Sequence, residues 1–593
     1  MLNVSQEYIQ ASLSNDRTSY IVIKYGLYNK VAKQQVDNVT STNKQPFSNM
    51  FKLYNETKET PYNYISCEPN RCKLDGKFYF ISDKNTPNEQ EHIAYWSKDI
   101  SNDSGLFTTN PKINVAFTTK IKYTPLTLYF QEVCSSFKAK YYDDLTLVKE
   151  VLIENNTSLT PTTEQVTFQE VFFNKLEIEF IKTKEPNRYI KFNEIDFGVL
   201  QTFTNEEIKD LNIINEFSID SENLSSNTIN ITIDDKKGMY DILNPNNKLS
   251  LLQEKQEIGA YHYLKVGNVF KELPLGTFLI KKIEVGKNEL KLECFDDTYF
   301  MNKIYYGGYY YNNESILKIL KDLFDYFNYT KYELDTSINN ITLTGYIPNI
   351  EFKEALRKIC EAGGCNIIKT PQGITKIFKP RPIKSQGIEF NRRILFREEV
   401  VKNLYNNTID IVEYEFSNNE NVEEVFNGNV ELQRDTSGGE ISKVLTLAFD
   451  KEPVLYNTLE KDSSKSTATY SILNVYATSC VVKVTKGGKI VLKAKTVNVS
   501  RQIKRVKKDN IISYDEYSIK KVDNTLITSS NSTNIANWKL NRSDIKYNFD
   551  TLVLPYVEVG DSCQYETKYN QLKSFIPTKI EINKSIVQSI EGE

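Results

Sequence analysis

The most regular pattern along the chain is a two-residue alternation of apolar and polar positions in short runs bounded by Asn, Asp, Gly and Pro. Clear examples are Leu126–Phe130, Leu176–Phe180, Thr228–Ile233 and Leu290–Cys294. Alternation of this kind places one face of a strand in a core and the other in water, as antiparallel sandwiches and barrels require. The pattern therefore predicts a mainly β protein.

Two segments follow a helical period instead. Ser315 is a candidate N-cap for a helix whose apolar residues recur at a spacing of three and four as far as Phe327. Asn349 is a candidate cap for a second helix that ends at Gly363-Gly364, and a hairpin follows it. We predict a small α+β unit, helix–helix–hairpin, over 312–382.

The spacing of turns and the position of this unit predict a multidomain chain. The predicted regions are N-terminal strands at 1–60, a strand-rich block at 61–199, a second β block at 200–311, the helix–helix–hairpin unit at 312–382, and one or more C-terminal β domains at 383–593. The strands at 1–60 are expected to share one β unit with the strands that resume near 200. The polar run Asn418–Asn421 is interpreted as a solvated turn.

The composition of the chain disfavours several classes of function. The chain has 593 residues, with 74 Lys and Arg against 77 Asp and Glu, for a net charge of −3. This balance disfavours a dedicated nucleic-acid binder, and no run approaches the roughly 20 apolar residues of a membrane-spanning helix. The first thirty residues lack a signal-peptide pattern, so we expect synthesis in a cytoplasm without a leader, and release by lysis stays open.

The residues that carry most catalysis and metal binding are sparse. Eight cysteines are too few for a disulfide scaffold, and the C-x4-C pairs Cys67/Cys72 and Cys360/Cys365 are interpreted as buried thiols in preference to a zinc site. The two histidines, His92 and His262, lie in no motif, and no phosphate-binding or dinucleotide-binding loop occurs. We expect no catalytic, cofactor-binding or metal-binding residues and no cofactor, although a glycosidase carboxylate pair stays open.

A family resemblance enters over about 200–382. It rests on Phe217–Ile219, Asn227–Asp235, Tyr240–Asn247 with its Asn-Pro loop, Leu275–Ile280, Leu290–Asp297 and the helix Glu351–Gly364. These segments resemble tail-hub and tail-tip proteins of bacteriophages and phage-tail-like particles from low-GC Gram-positive bacteria. The resemblance implies a hub-like barrel that closes into a ring, commonly a trimer, at the end of a tail tube.

A second resemblance covers 61–199. Leu126–Phe130, Phe137–Tyr142, Leu176–Phe180 and Arg188–Gly198 resemble a galactose-binding-like jelly roll. That likeness implies a module for host cell-surface glycan, but no loop matches a sugar-binding motif from which residues could be carried over.

Aromatic residues supply the candidate contacts. Tyr305, Tyr306, Tyr309, Tyr310 and Tyr311 cluster around Gly307-Gly308 where the barrel meets the first helix. This cluster fits an inter-subunit or inter-domain contact, plain core packing or a glycan platform. Trp96 is the isolated candidate for sugar stacking.

The leading hypothesis is a structural, non-enzymatic component of a phage tail tip or baseplate. Its expected partners are tail-tube subunits, other baseplate proteins, further copies of itself as a trimer, and host glycan, with no nucleic acid and no membrane insertion. The alternatives are a cell-wall glycan hydrolase or lyase, in which an acid pair lies in a groove, and a free glycan-binding adhesin.

Overall fold

The computed structural model describes the chain except for residues 1, 3, 15, 29, 55–62, 73–77, 80–93, 124, 164–170, 242, 245–251, 381–387, 403–407, 434–439, 509–518, 544 and 586. His92, most of the predicted Asn-Pro loop and the boundary at residue 382 therefore lie outside the described residues.

Most of the elements before residue 204 are short or medium-length strands. They are α1 Gln6–Ser12, β1 Ser19–Tyr28, α2 Lys30–Gln34, β2 Val36–Thr40, β3 Asn63–Tyr64, β4 Phe78–Tyr79, β5 Tyr95–Trp96, β6 Lys112–Lys122, β7 Thr127–Phe130, β8 Cys134–Asp143, β9 Thr146–Ile153, β10 Phe172–Thr183, β11 Lys191–Asp196 and β12 Gly198–Phe203.

The middle of the chain contains the two longest helices. Its elements are β13 Ile208–Glu216, β14 Thr228–Asp234, β15 Glu257–Val266, β16 Val269–Gly286, β17 Glu289–Phe295, β18 Ile304–Tyr305, β19 Tyr310–Ser315, α3 Ile316–Tyr326, β20 Tyr332–Leu334, β21 Thr342–Tyr346, β22 Ile350–Glu351, α4 Phe352–Gly363, β23 Asn366–Lys369, β24 Thr375–Phe378 and β25 Ile388–Phe390.

The remaining elements include two very long strands. They are β26 Leu395–Lys402, β27 Thr408–Val430, β28 Lys443–Ala448, β29 Glu460–Lys461, β30 Thr469–Val475, β31 Ser479–Lys486, β32 Gly488–Lys507, β33 Ile519–Val522, α5 Ser532–Leu540, β34 Ile545–Leu552, β35 Cys563–Glu566, β36 Leu572–Phe575, β37 Pro577–Asn583 and β38 Val587–Gly592. The mainly β, multidomain fold class is confirmed.

The central element is an eleven-stranded sheet in the order β12-β1-β15-β16-β17-β14-β13-β37-β38-β34-β26. All neighbouring strands in it run antiparallel. The predicted barrel strands of 200–311 thus share one sheet with β1 from the N-terminal region and with β34, β37 and β38 from the C-terminal region. In the part of the chain that the structure describes, β12 and β26 end this sheet without pairing to each other, so the sheet is open and the prediction of a closed barrel is wrong there.

Alternation explains how this sheet buries one face. Strand β14 exposes or half-exposes its polar positions and buries Ile229, Ile231 and Ile233, and β17 buries Leu290, Leu292 and Cys294 in the same core. Apolar side chains from β1, β15, β34 and β38 complete that core. Burial of this stripe supplies the main driving force for the sheet.

A second core lies in a sandwich formed by the sheets β2-β6-β10-β8-β9 and β5-β11-β7. Phe137, Leu176, Phe180 and Phe192 are fully buried between them. The aromatic rings of Phe180 and Phe192 meet edge to face at 5.7 Å, an arrangement favoured by the ring quadrupole.

The helix–helix–hairpin unit forms much as its sequence predicts. Ser315 caps α3, because its side chain accepts a hydrogen bond from the backbone N–H of Leu317. Helix α4 ends at Gly364, whose φ of 56° is the left-handed conformation that glycine adopts without strain. The N-cap of α4 is Glu351 and not Asn349, since Ile350–Glu351 first pairs with Ile304–Tyr305 as a short strand.

The longest ladder joins β27 to β32 and passes through the polar run predicted to be a turn. Asn418 pairs with Val497, the register shifts, and pairing resumes at Val422 with Lys495. Residues 419–421 lie opposite Thr496 alone and form a bulge within the strand, and the run is half-exposed or exposed. The turn prediction for Asn418–Asn421 is therefore wrong. The end of this ladder packs with the β28-β31-β30 sheet around a separate core of Val482, Val484 and neighbours, called the distal module here (residues 425–494).

Helices long and apolar enough to cross a membrane are absent from the described residues.

Candidate assembly site

The predicted tyrosine cluster lies where the helix–helix–hairpin unit meets the distal module. Tyr305 is fully buried and packs edge to face on Tyr326 with ring centroids 5.1 Å apart. Tyr311 is also buried, and its hydroxyl donates a hydrogen bond to Asp322 at 3.3 Å. Burial raises the pKa of the Tyr305 and Tyr311 hydroxyls, so both stay protonated.

The more exposed members of the cluster contact other parts of the chain. The ring of Tyr309 lies 5.5 Å from that of Tyr476, and the ring of Tyr310 lies 5.6 Å from that of Phe416. The carbonyl of Tyr306 accepts a hydrogen bond of 2.7 Å from Ser479. All five predicted tyrosines thus lie together, and these contacts are intramolecular.

Glycines permit the close approach in this cluster. A Cβ on Gly307 would lie 2.4 Å from the ring of Tyr326, which is shorter than any normal contact. The carbonyl of Gly308 accepts a hydrogen bond of 2.7 Å from Ala477 in the distal module. The Gly-Gly pair therefore lets the backbone of the helical unit reach the distal module directly.

A buried ionic cluster holds the helical unit to the C-terminal part of the chain. Lys539 Nζ of α5 lies 2.9 Å from Glu361 Oε1 of α4 and donates to the carbonyl of Asp220 at 2.8 Å. Arg357 Nη1 lies 3.2 Å from Glu361 Oε2. Four distant segments thus meet at one ionic centre, because the carboxylate of Asp220 also pairs with Lys520 at 3.0 Å.

Asp220 shows the electrostatic character of this cluster. Burial raises the pKa of its carboxyl, but Lys539, Lys520 and Arg542 outweigh burial and lower that pKa to about 2. Asp220 is therefore ionised throughout the physiological range. Because the pKa is lower in the folded chain than in the unfolded one, its stabilising effect is present above about pH 4 and is lost as the pH falls towards 2.

A cleft of about 370 Å³ opens between the central sheet and the helical unit. Its apolar lining comprises Leu279, Phe300, Met301, Phe327 and Phe352. Lys303 and Lys331 line it as well, and Lys255 Nζ lies over the ring of Phe300, 5.3 Å from the centroid. The cleft therefore combines an apolar floor with exposed lysines around it.

One wall of the cleft is polar but internally satisfied. Lys369 Nζ lies 2.5 Å from Asp297 Oδ1 and donates to the hydroxyl of Tyr329 at 2.8 Å, while that hydroxyl donates to Asp297 Oδ2 at 3.1 Å. Burial lowers the pKa of Lys369, although Asp297 opposes the shift. Beside it, burial raises the pKa of Asp296 to about 6, because the hydrogen bonds from the backbone of Asn227 and Thr298 only partly offset the loss of water.

Trp96 lies in the sandwich, and only 3% of its surface is exposed. Tyr189 stacks on it with a centroid distance of 6.4 Å, Phe47 packs against it edge to face, and Lys191 Nζ lies 4.6 Å from its ring centroid. The indole ring is thus covered by protein groups, and the partly exposed ring of the stack belongs to Tyr189.

The buried thiols and the described histidine lie in environments that disfavour their charged forms. Cys360 and Cys365 are buried as expected, whereas Cys67 and Cys72 are exposed and differ from the sequence interpretation. Burial raises the pKa of Cys365 to about 12, and burial lowers the pKa of His262 to about 3. The described residues contain no group of three or more His, Cys, Asp and Glu side chains arranged to hold a metal ion.

One end of the central sheet leaves apolar side chains uncovered. Strand β26 exposes Phe396 (59%), Val400 (53%) and Val401 (42%), and Ile545 of the neighbouring β34 is 43% exposed. Val400 pairs with Tyr547, and Lys402 pairs with Ile545, so Val400 and Ile545 lie on the face of the sheet that carries its core. Phe396, Val400 and Ile545 are called the edge patch here.

Sequence reasoning missed the ionic cluster and the cleft. Glu354, Arg357 and Glu361 recur at helical spacing beside the buried stripe of α4, and that spacing was a readable indication of ion pairs on the helix. Nothing in the local sequence indicated that Lys539, 178 positions after Glu361, would complete the cluster.

Comparison with known proteins gives structural neighbours only. No protein-family model and no curated protein matches the chain. The 43 kDa tail protein of prophage MuSo2 from Shewanella oneidensis is 10% identical with a TM-score of 0.36, and the match covers 66% of this chain and 95% of that one. A tail protein from Neisseria meningitidis MC58 is 11% identical with a TM-score of 0.37, covering 66% and 93%.

A third neighbour is prophage tail protein gp18 from Listeria monocytogenes, 9% identical with a TM-score of 0.32, covering 66% of this chain and 90% of that one. All three are described as tail proteins, two of them from prophages. Since their TM-scores are below 0.5, these likenesses carry no argument about the function of this chain.

Proposed function

We propose that the protein is a structural, non-enzymatic component of a phage tail tip or baseplate, hub-like in role, which closes the tail tube and contributes to host attachment. The sequence resemblance over about 200–382 provides the class of protein. The edge patch is the observation that carries the proposal, because apolar residues at an unpaired sheet edge are stabilised when another subunit covers them.

The proposed assembly is a ring of identical subunits, with a trimer as the expected size. Each subunit carries the edge patch at the β26 end of the central sheet. The buried ionic cluster and the tyrosine cluster support this role, because they connect the central sheet, the helical unit and the distal module by direct contacts. The proposed place of the protein is the virion tail, beside tube subunits and other baseplate proteins.

In this proposal the sandwich attaches the particle to the host by binding cell-surface glycan. Because Tyr189 covers Trp96, we place the sugar-stacking contact at the exposed side of Tyr189 rather than at the indole. A ring would present several such modules together, so weak single contacts would add through multivalency.

The test is the mass of the full chain in solution by light scattering over a range of concentrations. We expect a trimer-sized species, and Val400→Lys is expected to reduce it to the monomer. The matched control is Val444→Lys, since Val444 is 55% exposed on the distal module. A wild-type chain that stays monomeric at all concentrations would contradict the proposal.

The same protein is incubated with purified Gram-positive cell wall. Binding without release of soluble sugar is expected. Steady release of sugar would favour the hydrolase alternative, for which Glu257 and Asp297 of the cleft are the carboxylates to substitute first.

A further inference from the structure

Two features of the surface are complementary in charge and polarity. One is the cleft with its apolar floor and surrounding lysines. The other is the tip of the hairpin between β8 and β9, where Leu145 is 94% exposed between Asp144 and Thr146. A leucine so fully exposed gains about 1.5–3 kcal/mol if a partner buries it.

The charge around Leu145 fits the rim of the cleft. Asp143 is already paired with Lys120 at 2.6 Å, but Asp144 accepts a hydrogen bond only from the neutral amide of Asn174, at 2.7 Å, among the described contacts. The tip therefore presents an apolar side chain beside a carboxylate that still has capacity for a cation.

The cleft offers the opposite arrangement. Lys303 is exposed on its lining, and Lys255 lies over Phe300 at its edge. Lys331 is paired with Glu257 at 3.2 Å and Lys369 with Asp297 at 2.5 Å, whereas Lys303 and Lys255 have no ion pair among the described residues. The volume of about 370 Å³ accommodates a leucine side chain together with the backbone of a hairpin tip.

We propose that the β8–β9 tip of one copy inserts Leu145 into the cleft of a second copy, with Asp144 paired to Lys303. In the structure Leu145 is exposed, so the tip does not occupy the cleft of its own chain. The tip and the cleft are different surfaces, so the contact is heterologous and repeats from subunit to subunit around a ring. This inference rests on the proposed function and names a second contact of the same assembly.

The test measures the self-association constant of the full chain by sedimentation equilibrium. Leu145→Glu is expected to weaken association at least about tenfold, the effect of losing one buried anchor. Asp144→Lys and Lys303→Glu are each expected to weaken it, and the double variant is expected to recover most of the wild-type affinity. Val269→Glu is the matched control, because Val269 is 59% exposed in a different hairpin.

The outcomes separate this inference from the proposed function. If the wild-type chain associates and Leu145→Glu leaves the constant unchanged, the tip–cleft contact is wrong while the ring stands. If Leu279→Glu weakens association but Leu145→Glu does not, a different segment occupies the cleft, and the inference is again overturned. A chain that never associates overturns both.

Discussion

Replacing Lys539 with methionine tests the buried ionic cluster directly. At the observed 2.9 Å and an effective dielectric constant of about 20, the attraction between Nζ and Glu361 is about 6 kcal/mol before the cost of removing the lysine from water. Breaking a buried pair by deleting one partner costs about 3–5 kcal/mol. Arg357 stays 3.2 Å from Glu361, so we expect about 3 kcal/mol.

The position of the two tryptophans provides the assay. Trp538 precedes Lys539 in α5, whereas Trp96 lies in the sandwich core region. In a Trp96→Phe background, the fluorescence of Trp538 reports the unfolding of the ionic cluster alone. A loss of about 3 kcal/mol lowers the urea midpoint of that transition by roughly 1–2 M.

The matched control is Lys521→Met, because the side chain of Lys521 is 62% exposed and lies 3.9 Å from Asp523. Its expected effect is below about 0.5 kcal/mol. If Lys539→Met and Lys521→Met shift the midpoint equally, the cluster does not hold the helical unit to the C-terminal part of the chain.

Three further predictions concern other regions. Burial lowers the pKa of His262 to about 3 in the folded chain, so below about pH 6.5 this side chain binds a proton in the unfolded chain but not in the folded one. The free energy of unfolding, compared with that of His262→Gln, is therefore expected to fall by about 1.4 kcal/mol per pH unit from pH 6 to 4. A difference in urea unfolding that stays constant over this range would contradict the prediction. Gly345→Ala places a Cβ 2.0 Å from the carbonyl oxygen of Thr525 at a φ of 138°, so the free energy of unfolding is expected to fall by about 3 kcal/mol or more in thermal or urea unfolding. The control is Gly267→Ala, whose Cβ meets no atom within 4 Å and for which we expect a loss of about 1 kcal/mol. Tyr189→Ala is expected to weaken sedimentation with purified cell wall about tenfold while circular dichroism stays unchanged, and full retention on the wall would remove Tyr189 from the attachment contact.

Local features of the fold were predictable because their causes lie within a few residues. The cap at Ser315 and the stop at Gly364 follow from side-chain capping and from the freedom of glycine to adopt positive φ. The hairpin of β23 and β24 follows from the turn at Gly373. The start of α4 was less predictable, because pairing of Ile350–Glu351 with a distant strand delays it.

The pairing of strands that lie far apart in the chain could not be predicted from a single sequence. Strand β13 pairs with β37, more than 360 residues later, and no local pattern encodes that partner. The turn prediction for Asn418–Asn421 was wrong for the same reason, because this run lies within a strand that pairs with β32 on both sides of it. The predicted domain boundaries and the role of the tyrosines as interface or glycan contacts stay predictions.

The candidate site was predicted only in part. The tyrosines were recognised as a group because they are adjacent in sequence, and the structure places them together. The ionic cluster and the cleft assemble from segments hundreds of residues apart, so their chemistry is defined by the tertiary structure and not by spacing.

During synthesis on the ribosome, the central sheet can be completed only after the C-terminal strands have been made. The sandwich takes its strands from residues 36–196, so it can form while the rest is still being made. The central sheet needs both β1 and β38, whose strands are separated by more than 550 residues. The seven strands from β12 to β13 can pair with one another once residue 295 has been made, but the outer edge of β13 has no partner until β37 has been synthesised. During this interval the nascent chain is most exposed to aggregation and most in need of a chaperone.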